Sequence, residues 1–162
     1  MPKTWLPQIE TSHANHLVWL EGHGDSTTTF GGHLVFTDGA LRQLQWWKEA
    51  TRAGWGVAQI TEDGHLQYAC YGPLPGPTQT VPRAELHACC MALRMSVGPL
   101  TIHTDHKPIV DGLLRAKDWA TDGSRVNADL WRELWQLLED KGGLEDDLQI
   151  KWVKAHQTIQ ST

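Results

Sequence analysis

The sequence predicts an α/β fold: a five-stranded mixed sheet, three antiparallel strands plus parallel strands, flanked by helices. Three observations carry that prediction. Between His33 and Tyr71 three short runs of strand-forming residues follow one another, and Glu62-Asp63-Gly64 between the last two is a hairpin-turn sequence. From Pro82 the apolar spacing turns helical, with Leu86, Cys89, Cys90 and Leu93 at i, i+3, i+4 and i+7. Beyond that helix, strand-like and helical runs alternate. Such an order implies an antiparallel meander whose first strand continues into a parallel layer through helical crossovers.

Taken in order, residues 1–32 show no clear period. Trp5 and Trp19 are interspersed with Pro2, Pro7, Gly22, Gly24 and Gly31, which reads as an extension or linker ahead of a domain over residues 33–162. His13, His16 and His23 lack the fixed spacing of a zinc site and read as surface histidines. His33 to Thr37 is the first expected strand, Trp55 to Ile60 the second and His65 to Tyr71 the third. "GPLPGP" (72–77) excludes regular structure and makes a crossing loop. The helix from Pro82 is expected to stop at Gly98-Pro99, and Leu100 to Thr104 follows as a fourth strand. Pro108 to Leu114 makes a short helix. A polar stretch, "KDWATDGSRV", then leads to a helix capped by Asn127, apolar at Leu130, Trp131, Leu134, Trp135 and Leu138, and ended by Gly142-Gly143. Leu148, Ile150 and Trp152 alternate in a fifth strand, with His156 beyond it.

Composition narrows the class. With 162 residues, 40% hydrophobic and 20% charged, the chain is long enough to bury a core as one soluble domain. Nine scattered Trp read mostly as core or groove walls. Cys70, Cys89 and Cys90 form an odd set without ligand spacing, which fits reduced thiols and an intracellular, cytoplasmic or nuclear, location. The apolar runs are far shorter than a membrane span, and the N-terminus lacks a basic region followed by an apolar one, so neither a membrane nor secretion is expected. A net charge of -5 argues against a general polyanion-coating protein but is compatible with a local basic groove.

The run "LVFTDGA" (34–40) ends an apolar strand in a carboxylate. Asp-Gly is a common turn dipeptide, yet Asp105 ends the fourth strand in the same way, and parallel neighbours place their C-terminal ends side by side. Glu85 stands at the start of the intervening helix on a stripe of small residues, Ala88, Cys89 and Ala92, that lets the helix lie close to the sheet and aims Glu85 inward. Three converging carboxylates raise one another's pKa unless a cation compensates them. Oxygen-only ligation suits Mg²⁺, with Mn²⁺ as a substitute, and two such ions about 4 Å apart support phosphodiester hydrolysis. His156 beyond the fifth strand suits a proton carrier near neutral pH. Taken singly, these residues have plainer readings as a turn Asp, a helix-start Glu favoured by the dipole and a solvated loop His. Their joint placement at one sheet edge favours the site.

The motifs "TDGA" (37–40), "TVPRAELHACCMAL" (80–93), "IHTDHKPIVDGL" (102–113), "NADLWRELWQLL" (127–138) and "IKWVKAH" (150–156) resemble, in order and spacing, those of type 1 ribonuclease H. The resemblance implies a ribonuclease H-like fold and Mg²⁺-dependent endonucleolytic cleavage of the RNA strand of an RNA/DNA hybrid, leaving a 3′-hydroxyl and a 5′-phosphate. It implies Asp38, Glu85 and Asp105 as metal ligands, His156 in proton transfer or product release, Thr80 and Arg83 as positioners of the nucleic-acid backbone, and Gly39 as an RNA contact. The chain departs from the family pattern in four places. Val81 and Pro82 stand where many relatives carry Asn or Gln that sense 2′-hydroxyls. "KDWATDGSRV" replaces a basic helix-loop, which implies weaker substrate binding. "LRQLQWWKEATR" (41–52) is longer than the usual turn, leaving Trp46 and Trp47 to pack on the sheet, stack on substrate or contact another chain. A fourth acidic ligand on a closing helix has no counterpart in "QTIQST" after His156, so the sequence reads as a segment of a longer polypeptide with a neighbouring polymerase domain as partner. The rival readings are a catalytically silent nucleic-acid-binding or scaffold domain, and another nuclease or recombinase built on the same sheet.

Overall fold

The computed structural model describes residues 17–44, 47–115 and 117–154. His156, Trp46 and the Trp47 side chain, for which the sequence suggests roles, lie outside the described residues. The elements run β1 (Val18–Trp19), β2 (Phe30–Leu44), β3 (Trp47–Ile60), β4 (Leu66–Pro73), α1 (Val81–Arg94), β5 (Ser96–Thr104), α2 (Lys107–Leu114), α3 (Lys117–Ala120), α4 (Ala128–Asp140) and β6 (Leu148–Trp152). The sheet is mixed, with helices against it, and has six strands in the order β1-β4-β3-β2-β5-β6. Pairing is antiparallel from β1 to β2 and parallel from β2 through β5 to β6.

Six strands correct the expected five. The extra strand is the dipeptide Val18-Trp19, which pairs with Tyr71 and Cys70. Two residues carry no period, so only their partner reveals them; the Trp19 ring stacks on Phe30 with centroids 5.7 Å apart. β2 is also far longer than His33 to Thr37. It starts at Phe30, whose N–H donates to Met95 O at 2.8 Å, and runs past Asp38 to Leu44 because β3 pairs with it over that whole length. The 41–52 stretch is therefore mostly the far end of a hairpin rather than a loop.

The first helix ends at Arg94, and Gly98-Pro99 lie inside β5, where the register with β2 shifts between Gly32 and Phe30. Gly98 takes φ +75, a backbone state that favours glycine and accommodates that irregularity. Asn127 is at the N-cap of α4 but at φ 65 and without a side-chain cap bond; its amide oxygen instead accepts from Arg83 Nη1 at 3.3 Å. The "KDWATDGSRV" stretch contains the one-turn helix α3. The core lies between sheet and helices. Val35, Val57, Ile102, Leu93, Leu134 and Leu138 are its fully buried centre, and small residues of α1, Ala84, Ala88, Cys89 and Ala92, are shielded from solvent where that helix meets the sheet.

Candidate active site

The parallel register of β2 and β5 sets the site. Its last pair is Thr37 with Thr104, so the next residue on each strand is a carboxylate, Asp38 on β2 and Asp105 just past β5. Asp38 is thus not a strand end, since β2 continues with Asp38 opposite Gly56 of β3; it marks where the parallel pairing stops. Thr37 and Thr104, the residues preceding the two acids, are buried, and the Thr37 hydroxyl lies 3.6 Å from Cys89 Sγ of α1.

Glu85 comes to the same place from α1. Thr80 caps that helix, its hydroxyl accepting from Arg83 N at 3.4 Å, and Pro82 fits the first turn, where a missing N–H costs nothing. Gly39 lets the helix approach: a Cβ there would stand 2.8 Å from Glu85 N and 2.9 Å from Ala84 Cβ. One ligand oxygen from each of Asp38, Glu85 and Asp105 lies within 4.8 Å of the others. Asp38 is exposed, Asp105 half-buried and Glu85 buried, so the cluster opens to solvent on one side.

Burial pushes the Glu85 carboxyl up to about 8, and the negative Asp105 and Asp38 push in the same direction against a partly offsetting Gly39 N–H. Glu85 Oε2 is buried without a hydrogen-bond partner. A buried carboxyl group with one oxygen unpartnered, in a cluster with two further carboxylates, fits a hard divalent cation, which prefers oxygen ligands and relieves the repulsion.

The other predicted residues are placed as follows. Gly39 is packed under the start of α1, and the Thr80 hydroxyl is engaged in capping. Arg83 is held by Asp129 through Nη1–Oδ1 at 2.9 Å and Nη2–Oδ2 at 2.6 Å, a bidentate pair that holds the Asp129 carboxyl down at about 2. Two residues near the site escaped the sequence reading. Gln79 ties the crossing loop to β3, donating to Leu74 O and Gly76 O at 2.9 and 2.8 Å and accepting from Ala53 N at 2.6 Å. Trp152, read only as a strand residue, donates from Nε1 to Asp105 O at 3.3 Å.

The RNase H family model matches residues 31–162. The chain belongs to the RNase H family. It is 29% identical over 144 residues to a ribonuclease H of Schizosaccharomyces pombe, covering 84% of this chain and 51% of that one. The chain therefore spans about half the length of that relative. Among solved structures, the foamy viral protease-reverse transcriptase in complex with dsDNA superposes with a TM-score of 0.61 at 19% identity, over 79% of this chain and 84% of that one. The solution structure of the PFV RNase H domain does so with a TM-score of 0.56 at 20% identity, over 82% and 84%. These likenesses establish a shared RNase H fold. Among the described residues, no helix is long and apolar enough to cross a membrane.

Proposed function

We propose that this chain is a divalent-metal-dependent endonuclease that hydrolyses the RNA strand of RNA/DNA hybrids. The observation that carries the reading is the convergence of Asp38, Glu85 and Asp105 within 4.8 Å, in an RNase H family chain, with an unsatisfied Glu85 oxygen at its buried side. These three residues would hold Mg²⁺, or Mn²⁺ in its place; two bound ions supply charge stabilisation at the attacking and leaving oxygens of the phosphodiester. Glu85 provides the buried wall of the site, Asp38 its open rim. Gly39 holds α1 close enough for Glu85 to reach the two strands. His156 follows β6, the strand beside β5, and serves in this reading as the proton carrier.

Arg83 and Thr80 position the backbone of the hybrid in this reading, but both are already engaged. A phosphate must compete with Asp129 for the Arg83 guanidinium, which favours weak substrate binding by this chain alone and a neighbouring polymerase domain that adds affinity. The same engagement is what favours the second reading, a nucleic-acid-binding or scaffold domain with little activity of its own.

Incubation of the purified chain with labelled RNA/DNA hybrid, double-stranded RNA and double-stranded DNA, each with Mg²⁺ or Mn²⁺, tests the proposal. We expect cleavage of the hybrid's RNA strand alone. Asp38→Asn, Glu85→Gln and Asp105→Asn should each slow it at least about a hundredfold under single-turnover conditions while the fold persists. Wild-type rates in Asp38→Asn would remove the metal-site assignment, and no cleavage of any substrate would favour the scaffold reading.

A further inference from the structure

Asp105 lies one residue beyond the last paired position of β5, so the sheet ladder does not itself fix it. The end of β6 does. Val153 N donates to Thr104 O at 2.9 Å, and one residue later, just past β5, Asp105 O accepts from the Trp152 indole Nε1 at 3.3 Å. On the other flank, His106 N donates to Thr104 Oγ1 at 3.1 Å, closing the turn into α2. Trp152 is 47% exposed, an unusual place for so large an apolar ring, and the Lys107 ammonium lies 5.9 Å from its centroid. Nearly half of the residue's surface thus remains exposed while the indole N–H is spent on one backbone carbonyl. Packing alone does not account for that arrangement, because a side chain serving only the core gains most when fully buried.

We infer that Trp152 is a positioning residue for Asp105: its indole N–H ties the turn after β5 to β6 and thereby fixes the Asp105 carboxylate in the acidic cluster. The inference rests on the metal-site reading of Asp105 given above. Groups that orient a ligand matter to the metal because a ligand free to rotate must be ordered on each binding event; loss of such partners commonly costs about 10- to 100-fold in affinity. Trp152 holds the ligand's main chain rather than its carboxylate, which sets the expectation at the lower end.

The test is Mn²⁺ binding by the full chain, followed by the paramagnetic signal of the free ion, alongside thermal unfolding without metal. Trp152→Phe keeps an apolar ring and removes the N–H. Lys107→Met keeps the N–H and removes the ammonium. We expect Trp152→Phe to bind Mn²⁺ about tenfold more weakly with its melting temperature little changed, and Lys107→Met to bind as the wild type does. Equal affinity in Trp152→Phe overturns the inference and leaves the metal-site reading standing, as does an equal loss in Lys107→Met, which would assign the effect to local packing. A wild-type chain that binds no Mn²⁺ overturns both. If Trp152→Phe does not fold, hydrogen exchange of the Trp152 indole proton in the wild type decides: protection supports the tie to Asp105, and exchange at the rate of a free indole overturns it.

Discussion

Asp129 shows how one residue sets what another is free to do. Its two oxygens occupy both terminal nitrogens of Arg83, and that guanidinium is the largest influence holding its carboxyl near 2, below the ordinary 3.8. A folded value below the unfolded one means the pair's contribution is complete above about pH 3.8 and is lost as the pH falls towards 2. The Asp129 side chain is 60% exposed, so screening limits that contribution to about 1 kcal/mol or less. A carboxyl-carbon NMR titration should place the Asp129 midpoint well below that of a free aspartate, and a midpoint at or above the free value would show that the pair does not form in solution. Arg83 also marks a limit of sequence reading. The resemblance implies a backbone contact for it, but the acid that also engages it lies 46 positions further on and becomes its neighbour only when α4 packs near α1, which no local pattern announces.

At the scale of elements, the helix carrying Glu85 and its close approach to the sheet are legible in the sequence, whereas the glycine that admits its first turn is not. The small residues at Ala88, Cys89 and Ala92 announced a close approach, and the structure buries all three completely. The resemblance implies an RNA contact for Gly39, and its missing side chain also admits the first turn of α1. Gly39→Ala would press a methyl group against Glu85 N at 2.8 Å and Ala84 C at 3.0 Å, both backbone atoms, so the helix must retreat. We expect that variant to lose about 1–3 kcal/mol in chemical denaturation and to cleave hybrid poorly with all three carboxylates in place. Gly56→Ala, opposite Asp38 on β3, is the control: its new methyl would meet nothing nearer than Cys70 O at 3.8 Å, and it should be nearly neutral. Equal stability in the two variants would show that Gly39 has another role. Element boundaries failed where a partner strand decides them. Nothing in "VW" or "GALRQL" fixes a strand locally; β4 gives Val18-Trp19 its pairing, and β3 carries β2 past Asp38.

The whole molecule places its cluster of three carboxylates where its two kinds of pairing meet. β2 is antiparallel to β3 and parallel to β5, the parallel half stops at Thr37 and Thr104, and the acids emerge there while α1 brings Glu85 from above. Folding without a cation must therefore desolvate Glu85 beside two like charges, and Glu85→Gln should stabilise the metal-free chain by about 1–3 kcal/mol near neutral pH. A cation bound only by the folded state reverses the balance. At a hundredfold excess over its dissociation constant it adds about 2.7 kcal/mol, which for a chain of this size raises the melting temperature by about 5–10 °C. Thermal unfolding across a Mg²⁺ titration should show that rise in the wild type, whereas Glu85→Gln should start higher without metal and respond little to it. A wild-type melting temperature that stays constant through the titration, or a Glu85→Gln variant that gains as much from Mg²⁺ as the wild type, would mean that the energy stored at this junction is not what the cation relieves.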